Sequence, residues 1–211
     1  MDEMITTLKT IHSNIELQIR QRLKEFSQNT TEERIAKEFF FCLLTPQCKA
    51  RVCWENIEIL YNKGILQRGD RDEIAKNLYG IRFNNNKAGY IVEARERFFN
   101  NGSSLKDIIV RSAGPWVLRE DIVKNVKGMG WKEASHFLRN IGKGEEFAIL
   151  DRHILRGLAK CSVIDKVPDS LSKTKYLNIE DNMKNFADTI NIPFAHLDFV
   201  FWYYFNREVF K

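Results

Sequence analysis

In the stretch VKGMGWKEASHFLRNIG, Val126 to Gly142, a lysine stands just after a turn that holds two glycines and a tryptophan. The apolar spacing on both sides is helical, so Lys132 falls in the first turn of the second helix, where a cation opposes the helix dipole. A positive helix end and partial burial both disfavour the ammonium form, and that frees the amine as a nucleophile of the Schiff-base kind. The turn has chemistry of its own. Gly128 and Gly130 let backbone N–H groups point outward at a helix N-terminus, an arrangement that holds a phosphate whatever base it carries. Taken alone, a Gly-x-Gly turn also serves merely to reverse the chain, and the lysine beside it also fits a solvated cation lying next to a phosphate.

Nineteen residues after Lys132, ILDRHI places Asp151 at the start of another helical pattern. An aspartate in that position caps the helix. If the chain folds back toward Lys132, the same carboxylate faces the amine, where it can stabilise a cationic sugar and assist proton transfer. His153 lies in the first turn of this helix and either donates to a phosphate or serves the packing.

The elements that must position these groups read as helices throughout. Ile5, Leu8, Ile11, Ile15, Ile19, Leu23 and Phe26 form one stripe of a long amphipathic helix. TTEERIAKEFFFCLL offers Thr30 as N-cap and Glu33 as its capping-box partner, with the helix ending near Thr45-Pro46. A third helix is expected over QCKARVCWENIEILYN, a fourth from GDRDEIAKNL with Asp70 and Glu73 as cap pair, and a fifth over NNNKAGYIVEARERFFNN, stopped by Asn100-Asn101-Gly102. Ser104 with Asp107 caps a short segment, and Pro115 opens PWVLREDIVKNV, the helix before the glycine turn. After Asp151 the chain runs through VPDSLSKTKYLNIEDN, a polar stretch with an interruption, into closing helices at MKNFADTINI and FAHLDFVFWYYFNREVF. No pair of alternating strands stands out. The expected fold class is all-α, without internal repeats or a Gly/Ser linker.

The 211 residues fall between one large domain and two small ones, with 44% hydrophobic and 29% charged residues. No apolar run reaches the ~20 residues that span a bilayer, and MDEMITTLKT lacks the form of a secretory signal, so the chain reads as cytoplasmic with no membrane partner. Cys42, Cys48, Cys53 and Cys161 lack the spacing of a zinc or iron–sulfur site and read as buried thiols rather than a disulfide framework. A net charge of +5 is compatible with nucleic-acid binding but does not select it.

VKGMGWKEASHFLRNIG followed at this interval by LDRHI resembles the helix-hairpin-helix DNA glycosylase superfamily, whose lyase members carry a lysine after the hairpin and a downstream aspartate. LLTPQCKA resembles the helix junction whose glutamine, here Gln47, enters the duplex, and FNNNKAGYIVEAR resembles another recurrent segment. TPQCKARVCWE, the missing cluster cysteines and the ending HLDFVFWYYFNREVFK are most similar to the type-2 8-oxoguanine DNA glycosylase/AP lyases of archaea and some bacteria. That resemblance implies two helical lobes flanking a DNA-binding cleft, the hairpin motif at about 116–142 and a single unit over 1–211. It also implies that the terminal Lys211 and the aromatic Trp202 adjoin the flipped base. On physical grounds alone, Trp202 belongs to the aromatic run FVFWYYF, and Lys211 to a frayed end.

The implied activity is excision of 8-oxoguanine from double-stranded DNA by a monomer. Gln47 fills the vacated stack, Lys132 attacks the sugar, Asp151 stabilises the cationic sugar, and Gly128, Gly130 and His153 hold DNA. None of these steps needs a metal or organic cofactor. Three other readings stay open at the level of sequence: a glycosylase/lyase for another oxidised base, a monofunctional glycosylase that uses water, and a non-catalytic helix-hairpin-helix DNA-binding module.

Overall fold

The computed structural model of the chain describes residues 2–100 and 104–210. Among these residues all regular structure is helical. The α-helices are α1 (Asp2–Ser27), α2 (Glu32–Leu44), α3 (Ala50–Asn62), α4 (Ile65–Arg68), α5 (Arg71–Asn77), α6 (Asn84–Arg95), α7 (Leu105–Arg111), α8 (Pro115–Asn125), α9 (Trp131–Asn140), α10 (Arg152–Lys160), α11 (Lys173–Ile190) and α12 (Phe194–Asn206). A π-helical turn over Glu96–Asn100 extends α6.

Two apolar cores organise these helices. Phe39, Phe41, Leu44, Ile57, Leu60, Ile91, Phe137 and their neighbours, from α2 through α9, fill the first. The stripe predicted on α1 fills the second: Leu8, Ile11, Ile15, Ile19 and Phe26 are buried against Leu155, Leu158, Met183, Leu197 and Phe201 of α10, α11 and α12. The first helix of the chain therefore packs along the last, and the middle of the chain forms the other lobe.

Among the described residues, five helix N-termini, those of α2, α5, α7, α10 and α11, are closed by a side-chain cap. Asp70 accepts from Glu73 N at 2.8 Å, Ser104 from Asp107 N at 3.1 Å, and Pro115 takes the first position of α8. The closing helix stops at Asn206, short of Phe210, where Arg207 takes a left-handed φ of 60°, and three helix starts differ from expectation. Thr31, not Thr30, caps α2 by accepting from Arg34 N. The third helix begins at Ala50 rather than just after Pro46, because Gln47 adopts a left-handed φ of 57° that breaks the helical path. Finally, α11 begins at Lys173, capped by Ser172, ten residues before MKNFADTINI. Its buried side chains Tyr176, Ile179, Glu180 and Met183 continue one helical face through the polar stretch.

The lobes are joined by buried polar pairs. Arg119 of α8 and Glu180 of α11, both fully buried, form two hydrogen bonds of 2.8 and 3.0 Å. Glu180 also accepts from Ala148 N at 2.7 Å, in the segment that leads from α9 to α10. The guanidinium of Arg119 lies 3.9 Å from the ring centre of Phe147 and 4.5 Å from that of Trp116. Both carboxylate oxygens and the two terminal nitrogens of the guanidinium are paired, which is the condition under which a buried ion pair persists. The pair ties the hairpin helix to the approach to Asp151.

Candidate active site

A cleft of about 990 Å³ runs between the lobes, and Lys132, Asp151, His153, Trp202 and Gln47 all line it. The hairpin that delivers Lys132 depends on Gly128. Its φ is +89°, and a Cβ there would lie 2.4 Å from a ring carbon of Tyr90, so both backbone and packing exclude a side chain. Gly130 is different. It is extended (φ −94°, ψ −170°) and serves as N-cap of α9 with no side-chain oxygen to offer. The Glu133 carboxylate accepts from Gly130 N at 3.2 Å instead.

Lys132, with its side chain 22% exposed, donates from Nζ to Thr45 Oγ1 at 3.3 Å and lies 3.8 Å from the Glu133 carboxylate. The amine therefore reaches out of α9 toward the end of α2. Phe147, Ala148, Ile149 and Leu150 are buried and lead the chain, outside any helix, up to Asp151, which lines the same cleft. Asp151 caps α10 with one oxygen, Oδ1, which accepts from His153 N at 2.7 Å and Ile154 N at 2.8 Å. A carboxylate fixed in this way keeps its place while Oδ2 remains outside the cap.

Beside it, Arg139 of α9 is ion-paired with Asp198 of α12, and both line the same cleft. Burial pushes the Asp198 carboxyl up from its ordinary range, and the Arg139 charge opposes that push. Neither residue stands out in the sequence. They sit 59 positions apart inside apolar-looking helices, and only the fold brings them together.

The His153 ring meets Trp202 edge-to-face at 5.4 Å and lies 5.3 Å from Phe205. His153 Nδ1 and Trp202 Nε1 are buried with no hydrogen-bond partner among the described residues.

The rim is built by Lys87. Its buried ammonium donates to Leu44 O (2.7 Å), Pro46 O (2.8 Å) and Cys48 Sγ (3.3 Å), closing the C-terminal end of α2 as a cation should. This fastens the loop that presents the exposed Gln47. The same contact draws in the segment before α6, where Arg82 N donates to Cys48 Sγ at 3.2 Å and the exposed Phe83 takes a left-handed φ of 59°. No sequence pattern singles out Phe83. Its strain and exposure become visible only once the backbone is placed. The four cysteines are free thiols, three of them buried, and Cys48 lines the cleft.

The C-terminal tail crosses to α3. Arg51 Nε donates to Glu208 Oε2 at 2.9 Å, and its guanidinium stacks 4.8 Å from the Phe210 ring centre. Lys211 lies outside the described residues.

The sequence pattern of the 8-oxoguanine DNA glycosylase family matches residues 19–192. An 8-oxoguanine DNA glycosylase/AP lyase of Fusobacterium nucleatum is 41% identical over 214 residues, covering 100% of this chain and 99% of its own. One from Methanocaldococcus jannaschii is 40% identical over 206 residues, covering 95% of each. Among solved structures, the 8-oxoguanine DNA glycosylase of Thermotoga maritima superposes with a TM-score of 0.88 at 32% identity, covering 100% of this chain and 99% of that one. The M. jannaschii glycosylase/lyase bound to a 15mer DNA containing 8-oxoguanine also gives 0.88, at 35% identity over 98% and 99% of the two chains. With a helical architecture shared over its whole length and a family pattern covering most of it, this chain belongs to the 8-oxoguanine DNA glycosylase family.

Proposed function

We propose that this protein excises 8-oxoguanine from double-stranded DNA and then cuts the strand at the abasic site by β-elimination through a Schiff base on Lys132. The observation that carries this reading is the meeting of Lys132 and Asp151, from the starts of α9 and α10, in one cleft large enough for a flipped nucleotide.

The chemistry follows from the two groups. The Lys132 amine forms a bond to the sugar C1′ while the bond from C1′ to the base breaks and the base leaves with the electron pair. The Asp151 carboxylate faces the positive charge that develops on the sugar, and the α10 cap keeps it there through the reaction. Loss of the amine proton and opening of the sugar ring give the imine. Removal of a C2′ proton then expels the 3′ phosphate oxygen and nicks the strand. No metal or organic cofactor enters these steps.

The remaining residues hold DNA in place. The hairpin around Gly128 and Gly130 grips the backbone, and His153 donates to a phosphate. Gln47 fills the gap left in the duplex, with Phe83 beside it offering an apolar face to the same stack. Trp202 walls the base pocket, and Lys211 at the end of the anchored tail discriminates the oxidised base. The enzyme works as a monomer, one unit over residues 1–211, in the cytoplasm on nucleoid DNA. No helix of the described residues is long and apolar enough to cross a membrane.

The test is incubation with a duplex carrying one 8-oxoguanine and a matched guanine duplex. Free 8-oxoguanine and a nicked strand from the first alone are expected. Stoichiometric binding of the lesion duplex with no base released would overturn the assignment.

A further inference from the structure

On the face of the second lobe, away from the residues that line the cleft, α1 and α12 bring together His12, Glu16 and His196. Their ligand atoms all lie within 4.8 Å of one another. His12 and Glu16 are one turn apart on α1 and share a face, while His196 sits in the first turn of α12. His12 Nε2 and His196 Nδ1 are 2.9 Å apart, with ring centres at 5.2 Å.

From this arrangement we infer a binding site for one transition-metal ion of the Zn²⁺ class, held by His12, Glu16 and His196 with water in the fourth position. Two imidazole nitrogens and one carboxylate are a ligand set that Zn²⁺ takes readily in tetrahedral form. Tetrahedral bonds of zinc to nitrogen place two such nitrogens ~3.3 Å apart, so the imidazoles need to part by only a few tenths of an ångström. The carboxylate is already oriented. Both hydrogen bonds from Arg20, 2.9 and 2.6 Å, go to Oε1 of Glu16, which leaves Oε2 as the oxygen for the ion. Arg20 thus has the place of an outer partner that fixes a ligand's direction.

The ion would staple the first helix of the chain to the last. Since α12 carries Asp198 and Trp202 of the cleft, the staple stabilises the wall of the active site without taking part in its chemistry. Metal bound only by the folded chain raises its stability by mass action.

The experiment uses the full chain, free of purification tag and stripped with chelator, titrated with Co²⁺ and with Zn²⁺ alone. Expected are one equivalent bound per chain, visible d–d absorption from Co²⁺ that Zn²⁺ abolishes, and a higher melting temperature with either ion. Glu16→Gln and His12→Ala should each weaken binding by about tenfold or more. Strand cutting at abasic DNA should persist in both variants. Glu16→Gln keeps size and helix propensity, so it answers the question even if His12→Ala loosens the α1–α12 contact. Absence of saturable binding in the unaltered chain would overturn the proposal, and so would binding of unchanged affinity in Glu16→Gln.

Discussion

The helices α9 and α10 begin in opposite ways at one cleft. At α9 the cap is Gly130, which has no side chain to satisfy the first-turn amides, and a lysine stands in that turn against the dipole. At α10 the cap is Asp151, whose Oδ1 serves two amides at once and whose charge suits the helix end. One terminus thus carries a cation, held beside Thr45 and the Glu133 carboxylate, while the other contains its own anion, firmly placed. The difference teaches that a single kind of local element can furnish either an amine or a carboxylate to a cleft. Which one it furnishes depends on whether the cap is a glycine or an aspartate.

The largest effect expected is at the start of α9. Lys132→Gln should lower base release and strand cutting by about 10³-fold or more, with lesion-duplex affinity retained, as read by single-turnover kinetics and a binding titration. A residual lyase rate within tenfold of normal would move the nucleophile elsewhere.

At the start of α10, the cap and the catalytic charge can be separated, because asparagine caps a helix about as well as aspartate. Asp151→Asn should reduce turnover by roughly 10²-fold, yet change stability little in thermal unfolding. Asp151→Ala should lose the turnover and also ~1 kcal/mol of stability. Turnover that survives in Asp151→Asn, with stability lost only in Asp151→Ala, would make Asp151 a cap and nothing more.

Gly128→Ala probes the hairpin. The positive φ and the Tyr90 ring together should cost about 1–3 kcal/mol, and distortion of the hairpin should make DNA binding less dependent on salt. An unchanged salt slope would remove the hairpin from the DNA footprint. Smaller still is the tail. Deleting Lys211 should reduce discrimination of 8-oxoguanine from guanine by about tenfold while cutting at preformed abasic sites continues, and Arg51→Ala, which frees the Glu208 anchor, should shift discrimination in the same direction.

How much of this is legible in the sequence depends on the distance between partners along the chain. Lys132, Asp151, the hairpin and most caps are local patterns, where spacing within one or two turns reveals the geometry. Thr30 and Thr31 offer the same hydroxyl one residue apart, so the pattern places the cap one residue early. The polar surface of α11 hides its start at Lys173, since its buried face shows only against the rest of the second core and the residues of α8, α9 and 147–150 that meet it. The pairs Arg119–Glu180, 61 residues apart, and Lys87 with Leu44, 43 apart, have no local signature at all. Resemblance locates the segment NNNKAGY, but the physical task of its lysine, holding the Gln47 loop, comes only with the fold.

The most direct test is borohydride reduction of the reacting complex on an 8-oxoguanine duplex, followed by peptide mapping of the covalent adduct. A single adduct on Lys132, absent from Lys132→Gln and strongly reduced in Asp151→Asn, is predicted. An adduct mapped to another amine, or strand cutting with no trappable adduct, would contradict the central role given to Lys132.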